Sequence, residues 1–163
     1  MLSGAPGSGK TAVAAGLRAA LPGVVVLDLD HFLDAGSRLA GVDLRQDSAA
    51  DRWPAYNDLC LTLVSTVLAA GRDVLLLSPL TPDEVRRSTA APALGEVHGA
   101  VLDCSDATRI ARLRSRSNAL ADDALADAAE LRALGLPVIR NDDIGIGTAA
   151  QLVAGWAHAQ LHT

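Results

Sequence analysis

The stretch that decides the fold of this chain is residues 4–11, Gly4-Ala5-Pro6-Gly7-Ser8-Gly9-Lys10-Thr11. It satisfies the pattern G-x-x-x-x-G-K-[ST] at every position. An apolar segment, "MLS" (1–3), leads into it, and "TAVAAGLRAAL" (11–21), which has a helical composition, follows it. Lys10 is the only lysine of the chain, so the pattern places a single ammonium group between a strand and a helix.

A glycine-rich turn in this position is suited to holding an anion. Its glycines allow backbone N–H groups to point inward, and the following helix directs the positive end of its dipole to the same place. Lys10 adds a charge for the β- and γ-phosphates, and the Thr11 hydroxyl can ligate Mg²⁺. We therefore predict that all eight residues of this P-loop bind a nucleoside triphosphate, with Thr11 as the metal ligand.

Apolar runs typical of buried strands alternate with helical segments along the rest of the chain. The runs are "VVVLDLD" (24–30), "DVLLLS" (73–78), "GAVLDCS" (99–105) and "LPVIR" (136–140). This alternation predicts an α/β fold in which helices cover both faces of a parallel sheet. The 163 residues contain no linker or internal repeat, so we predict a single domain over residues 1–163.

Composition and charge disfavour several classes of function. The net charge of −5 argues against general nucleic-acid binding, and no apolar run reaches the ~18 residues of a membrane span. The P-loop begins at residue 4, which leaves no room before it for a signal peptide. Cys60 and Cys104 lack the spacing of metal ligands. We expect a cytoplasmic protein, monomeric or homodimeric, with a small-molecule partner and no nucleic-acid partner.

Two classes of P-loop protein are disfavoured because their motifs are missing. A GTPase needs N-K-x-D to read guanine, but the only lysine already belongs to the P-loop and "NDD" (141–143) is no substitute. A large motor or AAA+ ATPase needs a longer chain and a strand that ends in paired acids, whereas "DVLLLS" ends in Ser78. The small P-loop kinases remain.

The layout resembles the nucleoside-monophosphate-kinase-like group, with its P-loop, acidic end of the second strand, and arginine helix before a short lid. Within that group the chain looks more similar to chloramphenicol phosphotransferase and to the tunicamycin-resistance ATP-binding protein. The similarity to the latter lies in residues 51–81, 109–116 and 141–154. The resemblance implies a five-stranded parallel sheet of order 2-3-1-4-5, with ATP and Mg²⁺ as cofactors.

Two carboxylates, Asp28 and Asp30, end the second apolar run. Strand alternation would place both on one side, at the end of the sheet where ligands bind. In the group that the chain resembles, an aspartate near here activates the acceptor hydroxyl or holds Mg²⁺ through water. We predict Asp28 as the catalytic base and Asp30 as an acceptor ligand. Alternatively, Asp30 only N-caps a helix that begins near Phe32.

Arginines cluster on the predicted helix 106–116. Arg109, Arg112 and Arg116 share a face at i, i+3 and i+7, and a guanidinium group can bracket a phosphate. A solvated helix face is the alternative. The resemblance implies catalytic roles for Arg112 and Arg116 at the transferring phosphoryl group. It also implies that the loop starting at Asn141 contacts adenine.

Three of the four aromatic residues, Phe32, Trp53 and Tyr56, lie between the second and third predicted strands. The resemblance places the acceptor pocket in this segment. We predict that Arg52, Trp53 and Tyr56 contact the acceptor, because clustered rings favour a partly apolar ligand. Alternatively, Trp53 and Tyr56 pack the start of the predicted helix 55–71.

The function predicted from these features is transfer of the γ-phosphate of MgATP to a hydroxyl of a small molecule, such as an antibiotic or a nucleoside. One alternative is a nucleotide kinase whose monophosphate acceptor is bound by Arg38, Arg45 and Arg52. Another is a non-catalytic ATP-binding protein that sequesters a ligand. Paired carboxylates at the end of the strand favour a hydroxyl over a dianionic acceptor.

Overall fold

The computed structural model describes residues 1–114 and 121–161. Its sheet is five-stranded and parallel throughout, in the order β2-β3-β1-β4-β5. The strands are β1 (Leu2–Ser3), β2 (Val25–Asp28), β3 (Val74–Ser78), β4 (Ala100–Asp103) and β5 (Val138–Arg140). The predicted fold class and strand order are confirmed. β3 ends in Ser78, as the sequence indicated, and not in paired acids.

Helices connect the strands and cover both faces of the sheet. They are α1 (Lys10–Ala20), α2 (Leu33–Ala40), α3 (Trp53–Ala69), α4 (Pro82–Arg87), α5 (Asp106–Arg114), α6 (Ala121–Ala133) and α7 (Ile146–Leu161). Short 3₁₀ turns span Leu29–Phe32, Asp47–Arg52 and Ala91–Ala93. No helix among the described residues is long and apolar enough to cross a membrane.

The two faces of the sheet form separate apolar layers. Leu75 and Leu77 of β3 join the cluster made with α1 and α7, whereas Leu76 between them joins the cluster made with α3. Strand alternation explains this division, because successive side chains point to opposite faces. Both faces are covered, so the strands read as continuous apolar runs.

The structure corrects the predicted end of the second strand. β2 stops at Asp28, and residues 29–32 turn as a 3₁₀ helix. The Asp28 carboxylate caps this turn by accepting a hydrogen bond from the backbone N–H of Asp30 at 3.1 Å. Asp28 is therefore buried, whereas Asp30 is exposed. The expectation that both carboxylates share one strand face is wrong, and the N-cap is Asp28 instead of Asp30.

Helix α4 was not predicted, although its start signal is present in the sequence. Thr81 caps the backbone N–H of Glu84 at 3.2 Å, and the Glu84 carboxylate accepts from the Thr81 N–H at 2.7 Å. This is a capping box, with Pro82 at the first helical position. The helix carries Glu84 to the carboxyl end of the sheet.

A buried ion pair joins the end of β4 to the P-loop. Arg109 of α5 donates to Asp103 at 2.5 Å and to the carbonyl oxygen of Pro6 at 2.7 Å, and its side chain is fully buried. Arg132 of α6 and Arg140 of β5 also donate to Asp103, at 2.8 and 3.0 Å. Burial alone would raise the pKa of Asp103, but the Arg132 hydrogen bonds and the Arg109 charge hold that pKa below its ordinary value. One carboxylate thus ties α5, α6, β5 and the P-loop together.

Replacing this carboxylate should be costly. Asp103→Asn keeps the shape of the side chain but leaves the buried Arg109 charge without its counter-ion, so we expect a loss of about 3–5 kcal/mol of unfolding free energy. Asp51→Asn is the matched control, because it removes the exposed partner of Arg52, at 3.4 Å, and should cost little. Chemical denaturation measures both. Similar small losses in the two variants would contradict the role given to Asp103.

The packing of α1 on α7 gives a second prediction. A Cβ added at Gly16 would lie 2.8 Å from the Cβ of Ala150, whereas nothing lies within 4 Å of one added at Gly155. Both Gly→Ala changes gain about 1 kcal/mol of helix propensity, but only Gly16→Ala incurs an overlap, at about 1–3 kcal/mol. In urea denaturation, the unfolding free energy of Gly155→Ala should therefore exceed that of Gly16→Ala by about 1–3 kcal/mol. Equal stabilities would show that the two helices are not in close contact there.

Candidate active site

The P-loop lies between β1 and α1 at the carboxyl end of the sheet. Gly9, with φ of 96°, forms the left-handed N-cap of α1, a conformation that favours glycine. Gly4 has no room for a side chain, because a Cβ there would lie 2.6 Å from the Oγ of Ser8 and 2.8 Å from the carbonyl oxygen of Leu102. The local sequence therefore fixes a tight loop against β4.

Lys10 is held inside this loop. Its side chain is buried, and its ammonium group donates to the carbonyl oxygen of Gly4. Burial lowers the pKa of Lys10, and the negative charges of Asp30 and Asp28 oppose that effect. The buried hydroxyl of Ser8 has no partner among the described residues. The loop thus presents a desolvated ammonium group and an unsatisfied hydroxyl, both of which a phosphate can engage.

A cavity of about 420 Å³ lies over the loop, and we call it the P-loop cavity. Besides loop residues 5–11 and Ala12, it is lined by Asp30, Trp53, Pro79, Leu113 and Asp127. Asp30 and Trp53 were predicted as site residues, and the fold brings both to the loop. Asp127, on α6, was not predicted.

Asp28 lies at the end of β2 and is less than 2% exposed. One of its carboxylate oxygens, Oδ1, accepts from the Asp30 N–H, and the other, Oδ2, is buried without a partner among the described residues. Asp28 is absent from the lining of the P-loop cavity, whereas Asp30 belongs to it. The two carboxylates therefore occupy different environments, one beneath the site and one facing it.

Arg112 and Asn141 attach two other elements to the back of the P-loop. Arg112 donates to the Gly7 carbonyl oxygen at 3.2 Å and to Asn141 Oδ1 at 3.1 Å. The Asn141 amide donates to the Ser8 carbonyl oxygen at 2.7 Å. Both side chains also border a cavity of about 330 Å³ beside the loop, together with Ile144. Arg116, the other predicted catalytic arginine, lies outside the described residues.

The remaining predicted acceptor residues lie elsewhere. Tyr56 is buried and donates from its hydroxyl to the Leu29 carbonyl oxygen at 2.8 Å, and burial raises the pKa of that phenol. Its ring meets Trp53 edge-on, with centroids 5.6 Å apart. Arg52 is exposed and lies 3.4 Å from Asp51. Tyr56 therefore positions Trp53, and neither Tyr56 nor Arg52 lines the P-loop cavity.

A second cavity, of about 310 Å³, adjoins the P-loop cavity, and we call it the side cavity. Its walls come from α3, the loop after β3, α4 and α6: Trp53, Asn57, Pro79, Leu80, Thr81, Glu84, Arg87, Asp127, Glu130 and Leu131. Trp53, Pro79 and Asp127 line both cavities. Sequence reasoning missed the carboxylates of this wall, although Asp123, Asp127 and Glu130 have the i, i+4, i+7 spacing of one helical face.

Several solved kinase structures are similar to this chain. A sugar kinase from Janibacter sp. HTCC2649 has 22% identity and a TM-score of 0.65, over 96% of this chain and 92% of that one. The tunicamycin resistance protein of Deinococcus radiodurans has 20% identity and a TM-score of 0.65, with the same coverage. A shikimate kinase from Acinetobacter baumannii, in complex with shikimate, has 15% identity and a TM-score of 0.67, over 98% and 92%. At these low identities, the TM-scores show that the proteins share a fold.

No curated protein sequence matches this chain significantly. A family profile does match it: that of the AAA domain family AAA_33, over residues 1–135. The matched range contains the P-loop, Asp28 and Asp30, and every residue that lines the side cavity. The predicted resemblance to small P-loop kinases is confirmed at the level of the fold. The chain belongs to the AAA domain family AAA_33.

Proposed function

We propose that this protein transfers the γ-phosphate of MgATP to a hydroxyl group of a small molecule. The observation that carries the proposal is the junction of two cavities: one lies over a complete P-loop, and the other opens beside it through Trp53, Pro79 and Asp127. ATP bound on the loop would direct its γ-phosphate toward that junction, and the side cavity has the size of a small-molecule site. Antibiotics and nucleosides are candidate acceptors, a choice that the similarity to a tunicamycin resistance protein supports.

The residues around the P-loop fit a magnesium ion. The unpartnered Oδ2 of Asp28 is a buried carboxylate oxygen that needs a cation or a donor, and oxygen ligands of this kind suit Mg²⁺. We propose that the Thr11 hydroxyl would hold the ion directly and that Asp28 would hold it through water. When bound, magnesium neutralises charge on the β- and γ-phosphates.

The placement of the carboxylates favours a division of roles that differs from the prediction. Asp30 faces the P-loop cavity, so we propose that it accepts the proton of the acceptor hydroxyl. The acceptor oxygen then forms a bond to the γ-phosphorus as the bond to the β,γ-bridging oxygen breaks, which leaves ADP. Lys10 would contact the β- and γ-phosphates throughout. Asp28, which the sequence favoured as the base, is buried and does not line the P-loop cavity, so we propose it for the metal instead.

Arg112 and Asn141 are proposed to act on the nucleotide side. Both hold the P-loop and border the adjoining 330 Å³ cavity, where the loop after β5 would contact adenine. A phosphate role for Arg116 stays a prediction from the resemblance.

A nucleotide kinase is the second candidate, and the charges do not favour it. The arginines that a phosphate acceptor would need, Arg38, Arg45 and Arg52, line neither cavity. Arg45 already pairs with Asp34 at 2.7 Å. The side cavity carries one guanidinium, Arg87, against three carboxylates, and this excess of negative charge would repel a dianionic acceptor. A non-catalytic ATP-binding protein is the third candidate, and measurement of ATP turnover separates it from the other two.

Lys10→Ala tests the nucleotide site. No other lysine can replace the lost charge, so we expect MgATP affinity or turnover to fall at least ~10²-fold. Arg18→Ala removes an exposed cation from the same helix and should leave both unchanged. Calorimetric titration with MgATP and an ADP-release assay give the two readouts. Wild-type binding and turnover in Lys10→Ala would rule out the P-loop as the ATP site.

The carboxylate roles are tested by isosteric changes. Asp30→Asn should lower kcat at least ~10²-fold with MgATP affinity near normal, because it removes the proton acceptor. Asp28→Asn should instead raise the Mg²⁺ concentration needed for half-maximal activity. Asp34→Asn, an exposed change nearby, is the control. If Asp28→Asn abolishes transfer at saturating Mg²⁺ while Asp30→Asn stays active, Asp28 is the base.

A further inference from the structure

We infer that the acceptor carries a positively charged amine beside its reactive hydroxyl, and that Asp127 is the residue that selects it. The inference rests on the proposed function, because it takes the side cavity as the place of the acceptor. It narrows the acceptor from any hydroxyl compound to an amino alcohol, an aminocyclitol or an amino sugar.

Asp127 lies at the junction of the P-loop cavity and the side cavity, where the acceptor would meet the γ-phosphate. Among the described residues that line the two cavities, it is the only charged one common to both. Asp127 is exposed and therefore accessible to a ligand, and its carboxylate forms no ion pair within the described part of the chain, although the charge of Lys10 across the P-loop cavity acts on it. A ligand that occupies both cavities therefore lies next to the Asp127 carboxylate.

The charges of the side cavity favour a cation. Its wall contains three carboxylates, Glu84, Asp127 and Glu130, against one guanidinium, Arg87. Glu84 is already engaged by Thr81 in the capping box, which leaves Asp127 and Glu130, three residues apart on α6, to face the cavity. Partial burial raises the pKa of Asp127, the charges of Asp123 and Glu130 raise it further, and the charge of Lys10 only partly opposes them. A bound ammonium group would relieve that repulsion.

The aromatic wall supplies a second, independent feature. Trp53 lines both cavities, and the edge-on contact with the buried Tyr56, at an interplanar angle of 84°, fixes the plane of its ring. An indole ring that lines the same cavity as carboxylates suits an organic cation. The cavity volume of about 310 Å³ is at the small end of the range for ligand sites. The acceptor should therefore be about the size of one sugar ring.

The test is phosphate transfer from labelled ATP to three matched compounds: D-glucosamine, D-glucose and D-gluconate, which are cationic, neutral and anionic. A second set, ethanolamine, ethylene glycol and glycolate, repeats the comparison at smaller size. Binding of each compound in the presence of MgADP is measured by calorimetry alongside transfer. We expect a cationic member to be preferred, and Asp127→Asn to lower its kcat/KM at least ~10-fold with the KM for ATP unchanged. Asp127→Arg should shift the preference toward the anionic member.

Asp122→Asn, an exposed change on the same helix that lines neither cavity, is the control and should keep the wild-type preference. Preference for a neutral or anionic member, binding of none of the amines, or an unaltered preference in Asp127→Asn would overturn the inference. Those results leave the proposed function standing as long as MgATP is bound and turned over through Lys10. If the proposed function itself is wrong, the wild-type protein will not turn over ATP at all, which distinguishes the two failures.

Discussion

The buried contact of Arg109 with Asp103 and with the carbonyl oxygen of Pro6 is the constraint on which the site depends. A P-loop works only if its backbone N–H groups stay turned toward the anion, and its carbonyl oxygens must therefore find donors on the other side. Arg109 supplies one such donor, and Arg112 and Asn141 supply others at Gly7 and Ser8. The loop is thus braced from behind by side chains of α5 and of the loop after β5.

The Asp103 carboxylate also fixes the position of α6, which forms part of the acceptor side. Arg132 of α6 donates to Asp103, so the helix that carries Asp127 is anchored to the same point as the P-loop. The buried Asp103 carboxylate therefore fixes the distances between the ammonium group of Lys10 and the carboxylates of α6. This arrangement places a cationic loop next to an acidic wall. Such a field favours an anionic nucleotide on one side and a neutral or cationic acceptor on the other.

Much of the fold could be predicted from the sequence because its signals are local. The P-loop motif is complete, and the apolar runs 24–30, 73–78 and 99–105 already indicate strands buried on both faces. The end of β2 was misplaced because alternating Asp residues continue the strand pattern, while the capping of the Asp30 N–H by Asp28 ends it. The site was predicted less completely. Tyr56 turned inward, and Asp127 came to the junction through the packing of α6, which no local pattern encodes.

The central claim is that the phosphoryl group leaves ATP for a hydroxyl on a molecule held beside the loop. The most direct measurement is the product balance of a single reaction with ATP labelled at the γ-phosphate, followed by mass spectrometry. Our interpretation predicts ADP and a phosphate ester of the acceptor in equal amounts, with label in the ester. Label found only in inorganic phosphate, or in a nucleoside diphosphate formed from a monophosphate, would contradict it.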